Sequence, residues 1–130
     1  MRLTQQPGRY TCVRLGGDTA RPKWARGRFV SVTRTPDELS IVCDFDRLPP
    51  EKKRGRAMRV EGPFVLLKVE GPLAFDQVGV LAALVKPLAE SGIPLLTIST
   101  FNTDYLLIAE AKTTDAAAAF RSAGHELSDG

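Results

Sequence analysis

The chain has 130 residues, of which 43% are hydrophobic and 25% are charged, and its formal net charge is +3. This composition is ordinary for a globular protein, and the length allows one domain or two small packed ones. No apolar run approaches the roughly 20 residues of a transmembrane helix, and the N-terminal residues carry no secretory signal. We therefore predict a cytoplasmic protein with no membrane partner.

Much of the positive charge lies in one run, residues 52–59 (KKRGRAMR). Nucleic-acid-binding surfaces usually interleave basic residues with exposed aromatic ones, and this run contains no aromatic residue. Two prolines lie shortly before the run and a glycine interrupts it. We interpret the run as a solvated loop and predict no nucleic-acid partner.

The first half of the chain predicts a shortened α+β unit. A strand at 9–16 is followed by further strand segments within SVTRTPDELSIV (31–42). The connection at 17–27 is too short for a full helix with its loops, given a rise of about 1.5 Å per residue. A last strand at 56–60 would close the unit.

The second half predicts a strand and then a helix with clear ends. The run FVLLKV (64–69) is typical of a central strand, and a Gly-Pro pair breaks it. From Asp76 onward, apolar residues recur every three or four positions, which predicts an amphipathic helix. Asp76 can cap the start of this helix, and Gly92 suits a left-handed stop at its end. Because Pro87 lies inside the helix, we expect a kink or a break near residue 84.

Two strands, a helix and a short strand complete the second half, at 93–99, 105–109, 116–123 and 125–127. The order strand, helix, strand, strand, helix, strand predicts a four-stranded antiparallel sheet with both helices on one face, the ferredoxin-like arrangement. Both faces of the two middle strands are largely apolar, and the helices can cover only one. The other face must meet the companion unit or another chain, or stay exposed, and we predict an oligomer.

The two halves carry one pattern. When SVTRTPDELSIV (31–42) is placed over TISTFNTDYLLI (97–108), hydroxyl residues and apolar residues align, and Glu38 falls beside Asp104. The first strands of the two halves also resemble each other, and two matches in the same order indicate a duplicated unit. We predict an α+β fold of two ferredoxin-like units with antiparallel sheets, the first of them truncated. The predicted units are residues 8–62 and residues 63–128.

The polar island STFNTD (99–104) between two apolar strands is the most unusual local feature. As a plain hairpin, its hydroxyls would cap the turn and Asp104 would accept hydrogen bonds from backbone amides. As a binding site, its hydroxyls would hold the ends of a small zwitterion, Phe101 would contact its stem, and Asp104 would hold a cation. Both alternatives remain open at this point.

The residue types give little support to catalysis. His125 is the only histidine, and the chain has no metal-spacing cluster, phosphate-loop pattern or nucleophile motif. Asp44 and Asp46 could present two acids on one strand face, but such pairs are usually solvated. Cys12 and Cys43 lie in apolar segments, and we predict two reduced, buried thiols. We therefore predict no enzyme, no catalytic or metal-binding residue, and no cofactor.

One stretch resembles a known family. Residues 71–108 (GPLAFDQVGVLAALVKPLAESGIPLLTISTFNTDYLLI) resemble an ACT domain, and more narrowly the ACT pairs of the CASTOR-type amino-acid sensors and their small bacterial relatives. The most specific segments are PLAESGI (87–93) and ISTFNTDY (98–105). The segment at 31–42 resembles the N-terminal ACT-like unit of the bacterial proteins, and the likeness covers most of the chain.

This resemblance implies a ligand site where two ACT units meet, between the loop after a first strand and the segment that connects two later strands. Thr100, Phe101 and Asp104 match residues that hold arginine in the animal sensors. A carboxylate can hold a guanidinium through paired hydrogen bonds, and the free amides at the helix start near Gly79 can hold a carboxylate. The predicted ligand-binding residues are Gly71, Asp76, Val78, Gly79, Ser99, Thr100, Phe101 and Asp104.

The resemblance also implies a function. We expect a non-catalytic regulatory protein that binds an amino acid at an ACT–ACT interface, with basic amino acids among the candidates. The animal sensors are longer and form their site between two pairs of units, so a chain with one pair predicts a homodimer. Any signal would then pass to a separate protein target. The alternative, from another class, is a protein–protein interaction module with the same interface and no small-molecule ligand.

Overall fold

The computed structural model describes residues 1–71 and 78–129, so the predicted helix cap Asp76 lies outside the described residues. Those residues form eight strands and two α-helices, which confirms the predicted α+β class. None of the helices described there is long and apolar enough to cross a membrane. The strands are β1 Arg2–Gln5, β2 Tyr10–Leu15, β3 Ser31–Arg34, β4 Leu39–Asp44, β5 Arg59–Val69, β6 Leu96–Ser99, β7 Asp104–Ala109 and β8 Glu126–Asp129; the helices are α1 Val80–Glu90 and α2 Thr113–Ser122.

The chain divides into two compact units, residues 8–63 and residues 1–7 together with 64–130. The long strand β5 contributes its first residues to one unit and its last residues to the other. The sequence predicted two separate strands here, at 56–60 and 64–69. A single strand forms instead, because the residues between them remain extended.

The unit of residues 1–7 and 64–130 has the strand order β8-β1-β5-β7-β6. Its helices follow β5 and β7, as the ferredoxin-like arrangement requires. The predicted sheet had four antiparallel strands, but β1 adds a fifth, and β1 and β8 pair in parallel. β1 was not predicted, because Leu3 is the only apolar side chain in RLTQ, although it is fully buried.

Both helices of this unit pack on one face of its sheet. Leu84 and Leu88 project from α1, and Ala116 and Phe120 project from α2, into a single buried cluster. The strands supply alternate residues to it, as the two-residue period of a strand dictates. Those strand residues are Leu3, Val65, Leu67, Val69, Leu106 and Ile108. On the opposite face, Leu66 and Leu107 are 0% exposed, so apolar residues there are buried within the single chain.

Glycines end both helices, as the sequence predicted for the first. Gly92 has φ +69°, and the amide of Ile93 donates to the Leu88 carbonyl at 2.9 Å. This pattern is a Schellman motif, which needs a left-handed residue that glycine adopts without strain. The start of α1 differs from the prediction, since the helix begins at Val80 with Gly79 at the N-cap position.

Of the predicted kink or break near residue 84, the break does not occur, because α1 runs without interruption through Pro87. Proline has no amide hydrogen, so the carbonyl of Ala83, four residues earlier, loses its helical donor. His125 Nε2 lies 3.1 Å from that carbonyl oxygen. The imidazole thus replaces the lost hydrogen bond, a long-range contact that the local pattern could not reveal.

The unit of residues 8–63 has the strand order β3-β4-β2-β5. Residues 16–30 form no helix, as their length predicted; Trp24, Ala25 and Val30 from this segment pack on the core instead. The basic run is solvent-exposed at Lys52 and Lys53. The buried core of this unit consists of Val13, Ala25, Leu39, Ile41 and Cys43.

The two cysteines are free thiols on opposite faces of the sheet, because Cys43 pairs with Thr11 while Cys12 pairs with Val42. Burial, and then the charge of Asp44, raise the pKa of the Cys43 thiol to about 11. Burial also raises the pKa of Cys12. Cys12 is only half-buried, so the predicted burial holds fully for Cys43 alone.

The duplication is visible in two hairpins of equal size. Each has a four-residue strand, a four-residue connection and a six-residue strand: β3–β4 with residues 35–38, and β6–β7 with residues 100–103. The sequence alignment is off by one residue, since Leu39 and not Glu38 is the counterpart of Asp104. Ile41 and Cys43 then match the core residues Leu106 and Ile108.

Candidate functional site

The polar island and the segment that follows β5 lie at the same end of the sheet. β5 and β7 are antiparallel, and Lys68 pairs with Tyr105, so the end of β5 adjoins the start of β7. The buried Thr103 hydroxyl donates to the Val69 carbonyl oxygen at 2.5 Å and fixes this junction. The loop side and the island side of the predicted site therefore meet, and Gly71 follows directly.

Two threonines close the turn of the island. The Thr100 amide donates to the Thr103 carbonyl oxygen at 2.8 Å, and the Thr100 hydroxyl donates to the same oxygen at 3.1 Å. The Thr103 amide in turn lies 3.4 Å from the Thr100 hydroxyl oxygen. Side-chain hydroxyls that close turns in this way explain both threonines without a ligand.

Ser99 and Asp104 form a pair across the last rung of the β6–β7 hairpin. The Ser99 hydroxyl donates to Asp104 Oδ1 at 2.6 Å. Asp104 is half-exposed, so its carboxylate is oriented by Ser99 and still open to solvent. A carboxylate held in this way can accept further hydrogen bonds from an ammonium or guanidinium group.

Phe101 and Val78 are exposed despite their size. Phe101 is 78% exposed and Val78 is 90% exposed, the two highest values among the exposed large hydrophobic residues of the described chain. Isolated apolar side chains are common on surfaces, but these two belong to the segments that the resemblance places at the site. Gly79 follows Val78 with φ +80°, and no side chain caps the first turn of α1. Amides of that turn are suitable donors to an anion.

A cavity of about 220 Å³ opens at this end of the sheet, lined by Lys68, Gly71, Asn102 and Thr103. Gly71 was predicted as a site residue, whereas Lys68 and Asn102 were not. Lys68 could have been found from the sequence, since it is the only charged residue in the apolar run 64–69. Strand alternation puts Lys68 on the face opposite the helices and Asp104 on the other face, at the same sheet end.

In the unit of residues 8–63, the position that corresponds to this cavity is occupied by contacts between the turn, the loop after β2 and two arginine side chains. By the register of the paired strands, Arg14 corresponds to Lys68 and Gly17 to Gly71. Arg14 Nη2 donates to the Asp37 carbonyl oxygen at 3.0 Å, and Arg34 donates to the carbonyls of Gly17 and Thr19. A Cβ on Gly17 would lie 2.5 Å from the Pro36 carbonyl oxygen, so turn and loop are in direct contact.

The chemistry at the open site is that of polar recognition. The Lys68 ammonium group and the polar residues Asn102 and Thr103 line the small cavity, and the Asp104 carboxylate lies on the other face of the same sheet end. A few polar groups around a small cavity are typical of a site for a small polar ligand. Within residues 1–71 and 78–129, no three His, Cys, Asp or Glu side chains are grouped so that they could hold a metal ion.

Comparison with protein families gives two matches. An ACT domain model matches residues 59–122, and a model of an N-terminal domain matches residues 8–51. The chain belongs to the ACT-domain family. The ACT match contains β5, α1 and the β6–β7 hairpin, which form the open site, together with α2.

Individual relatives extend this result. The ACT-domain chain is 32% identical to the bovine (Bos taurus) protein named cytosolic arginine sensor for mTORC1 subunit 1, over 97 residues. The human protein of that name is 31% identical over the same length. These residues are 68% of this chain but only 29% of either sensor, so the chain spans less than a third of the relatives' length.

Solved structures match over nearly the whole chain. A protein from Agobacterium tumefaciens is 39% identical and superposes with a TM-score of 0.87, covering 99% of this chain and 92% of that one. The regulatory subunit of aspartate kinase from Thermus thermophilus has a TM-score of 0.60 at 11% identity, over 89% of this chain and 93% of that one. At that identity, the second match shows the fold alone.

Proposed function

We propose that this ACT-domain chain is a non-catalytic regulatory protein that binds an amino acid at the sheet end formed by Gly71, Gly79 and residues 99–104. The family match and the similarity to proteins named as arginine sensors support an amino-acid effector. The described geometry supports the place, because the loop side and the island side meet there through Thr103 and Val69. Its effector would be a zwitterion, with basic amino acids among the candidates.

The difference between the two hairpins is the observation that carries this proposal. Both turns are closed by a threonine in the same manner, with Thr35 and Glu38 in one and Thr100 and Thr103 in the other. Turn closure therefore accounts for Thr100, but not for its neighbours. Ser99, Phe101 and Asp104 have Arg34, Pro36 and Leu39 as counterparts, so the acid and the aromatic ring are particular to the open site.

Asp104 is the residue that we expect to hold the positive end of the ligand. Its carboxylate is already oriented by Ser99, which lowers the ordering cost of a charge-assisted contact. The first-turn amides of α1, beginning at Val80, lie on the loop side and can contribute donors to an acceptor group of the ligand. Asp76 and Val78 remain proposed members of the loop side.

A second copy of the chain would complete the site. Phe101 and Val78 leave most of their apolar surface in solvent, and an ACT–ACT interface in a homodimer would cover it. The same exposure also favours the second candidate function, an interaction module in which these residues contact a protein target and no small molecule. Ligand-dependent stabilisation separates the two functions.

The test is a thermal-shift screen of the purified protein against the twenty amino acids. A ligand at about 100 times its Kd adds about 2.7 kcal/mol to the unfolding free energy, a shift of several degrees for a chain of this size. We expect one or a few amino acids to produce this shift. If the folded protein shows no shift with any of them, the interaction module becomes the better account.

The Asp104→Ala variant tests the position of the site. Losing one charge-assisted hydrogen-bond partner should weaken binding of the stabilising amino acid by about 10- to 100-fold. Asp37→Ala is the matched control, because Asp37 is an exposed acid in the equivalent turn of the other unit. An unchanged Kd in Asp104→Ala would remove Asp104 from the site.

A further inference from the structure

Lys68 is a charged residue in an otherwise apolar strand. It is half-buried, and its neighbours Leu67 and Val69 are core residues. Within residues 1–71 and 78–129, the Lys68 ammonium group has no hydrogen-bond or ion-pair partner. No described side-chain nitrogen is both buried and without a partner, so the Lys68 ammonium group is open to solvent and available to a ligand.

The filled site of the other unit supplies a comparison. Arg14, the counterpart of Lys68, donates to the carbonyl of Asp37 in the turn and so has a structural partner. Lys68 instead lines the cavity of about 220 Å³ beside Asn102, the counterpart of Asp37. The same position in the fold therefore holds a satisfied cation in one unit and a cation facing an open cavity in the other.

We propose that Lys68 binds the carboxylate of the ligand and restricts the site to molecules that carry one. This proposal rests on the amino-acid-binding function proposed above and adds the residue that selects for the acid group. A free carboxylate is the simplest partner for the ammonium group, since the two opposite charges can form a charge-assisted hydrogen bond of about 2.7–2.9 Å. The Asn102 side chain and the backbone of Gly71 line the same cavity and can supply further hydrogen bonds.

The Lys68 ammonium group and the Asp104 carboxylate would then bind opposite charges of the ligand. Lys68 is on the sheet face opposite the helices, and Asp104 is on the helix-bearing face of the same sheet end. A ligand that contacts both must carry an anion and a cation well apart, as the α-carboxylate and the side-chain cation of a basic amino acid are. A decarboxylated amine would leave Lys68 unpaired, and an uncharged ester would lose the charge-assisted contact.

The experiment compares each of the twenty L-amino acids with its methyl ester, by thermal shift and then by calorimetry on those that bind. We expect the methyl ester of any stabilising amino acid to bind at least about 30-fold more weakly, as loss of a charged hydrogen bond predicts. Lys68→Met should remove the discrimination between acid and ester, and Lys68→Arg should restore most of it. Arg14→Met, the matched control in the other unit, should leave the ratio unchanged.

The outcomes separate this inference from the proposed function. Equal affinity of acid and ester for the wild-type protein would overturn the role of Lys68 while leaving amino-acid binding intact. An unchanged acid-to-ester ratio in a folded Lys68→Met protein would do the same. A wild-type protein that binds neither acids nor esters would overturn both proposals.

Discussion

The hairpin β3–β4 and the hairpin β6–β7 have the same lengths and the same threonine-closed turn, yet their surroundings differ. In the first, Arg14 and Arg34 bond to backbone carbonyls, and Gly17 lies against Pro36. In the second, Lys68 and Gly71 line open space. The comparison teaches that the repeated element is a scaffold, and that the residues which differ between copies are the candidates for function.

The two units also differ in how they cover their sheets. One uses two helices, which place Leu84, Leu88 and Phe120 in the core. The other uses the irregular segment 16–30, from which Trp24 packs on the core. Helices satisfy their own backbone groups, whereas an irregular segment must rely on local turns and side chains to do so. Phe120 is fully buried whereas Trp24 is half-buried, so the unit of residues 8–63 should lose less stability when this covering side chain is removed.

The largest expected effect tests this difference in covering. Phe120 is 0% exposed, so Phe120→Ala should lower the unfolding free energy by about 3–5 kcal/mol. Trp24 is half-buried, so Trp24→Ala should cost less, about 1–3 kcal/mol. Urea titrations followed by circular dichroism give both values. A larger loss of unfolding free energy for Trp24→Ala than for Phe120→Ala would show that the irregular segment contributes more to stability than the helix does.

A smaller effect concerns one threonine in each unit. Thr11 and Thr103 are buried, and each hydroxyl donates to a carbonyl of β5, at 2.8 Å to Glu61 and at 2.5 Å to Val69. The change to valine keeps the shape and removes the donor, which should cost about 1–3 kcal/mol at either position. The exposed Thr33→Val is the control and should stay within about 0.5 kcal/mol of wild type. Unequal losses at the two buried positions would show that the units use these bonds differently.

A further effect is a pH dependence in the unit of residues 8–63. The Cys43 thiol has an ordinary pKa of 9.0 when unfolded and a pKa of about 11 when folded. The unfolded chain therefore loses this proton first, and stability falls as pH rises from 9 to 11, by at most about 1.4 kcal/mol per pH unit. Amide hydrogen exchange should show this loss in the core strands β2 and β4. Cys43→Ala should reduce the slope, and an equal slope in the variant would contradict the assignment.

Local patterns predicted much of the fold. The apolar stripe and Gly92 marked α1, and the repeated segments marked both hairpins, because side-chain periodicity and turn chemistry act over a few residues. Features that depend on distant parts of the chain were missed. The helix continues through Pro87 because His125 lies beside the freed carbonyl, and β1 forms although its sequence is mostly polar.

The site was predicted less completely than the fold. The island was recognised from its composition, but the one-residue alignment error paired Asp104 with Glu38 and so hid the difference between the hairpins. The correct register shows that Asp104 replaces the buried Leu39. Lys68 was overlooked although it is the only charged residue in the run 64–69, because its link to a site comes from the cavity and from the contrast with Arg14.

The most direct test of the central claim is a map of amide chemical shifts in the ¹⁵N-labelled protein as the stabilising amino acid is added. We predict that the largest changes fall on Lys68, Gly71, Gly79 and residues 99–104, with residues 16–19 and 34–38 of the filled counterpart unaffected. Changes concentrated in the filled counterpart, or spread evenly over both units, would contradict the claim that the open hairpin of the ACT domain forms the ligand site.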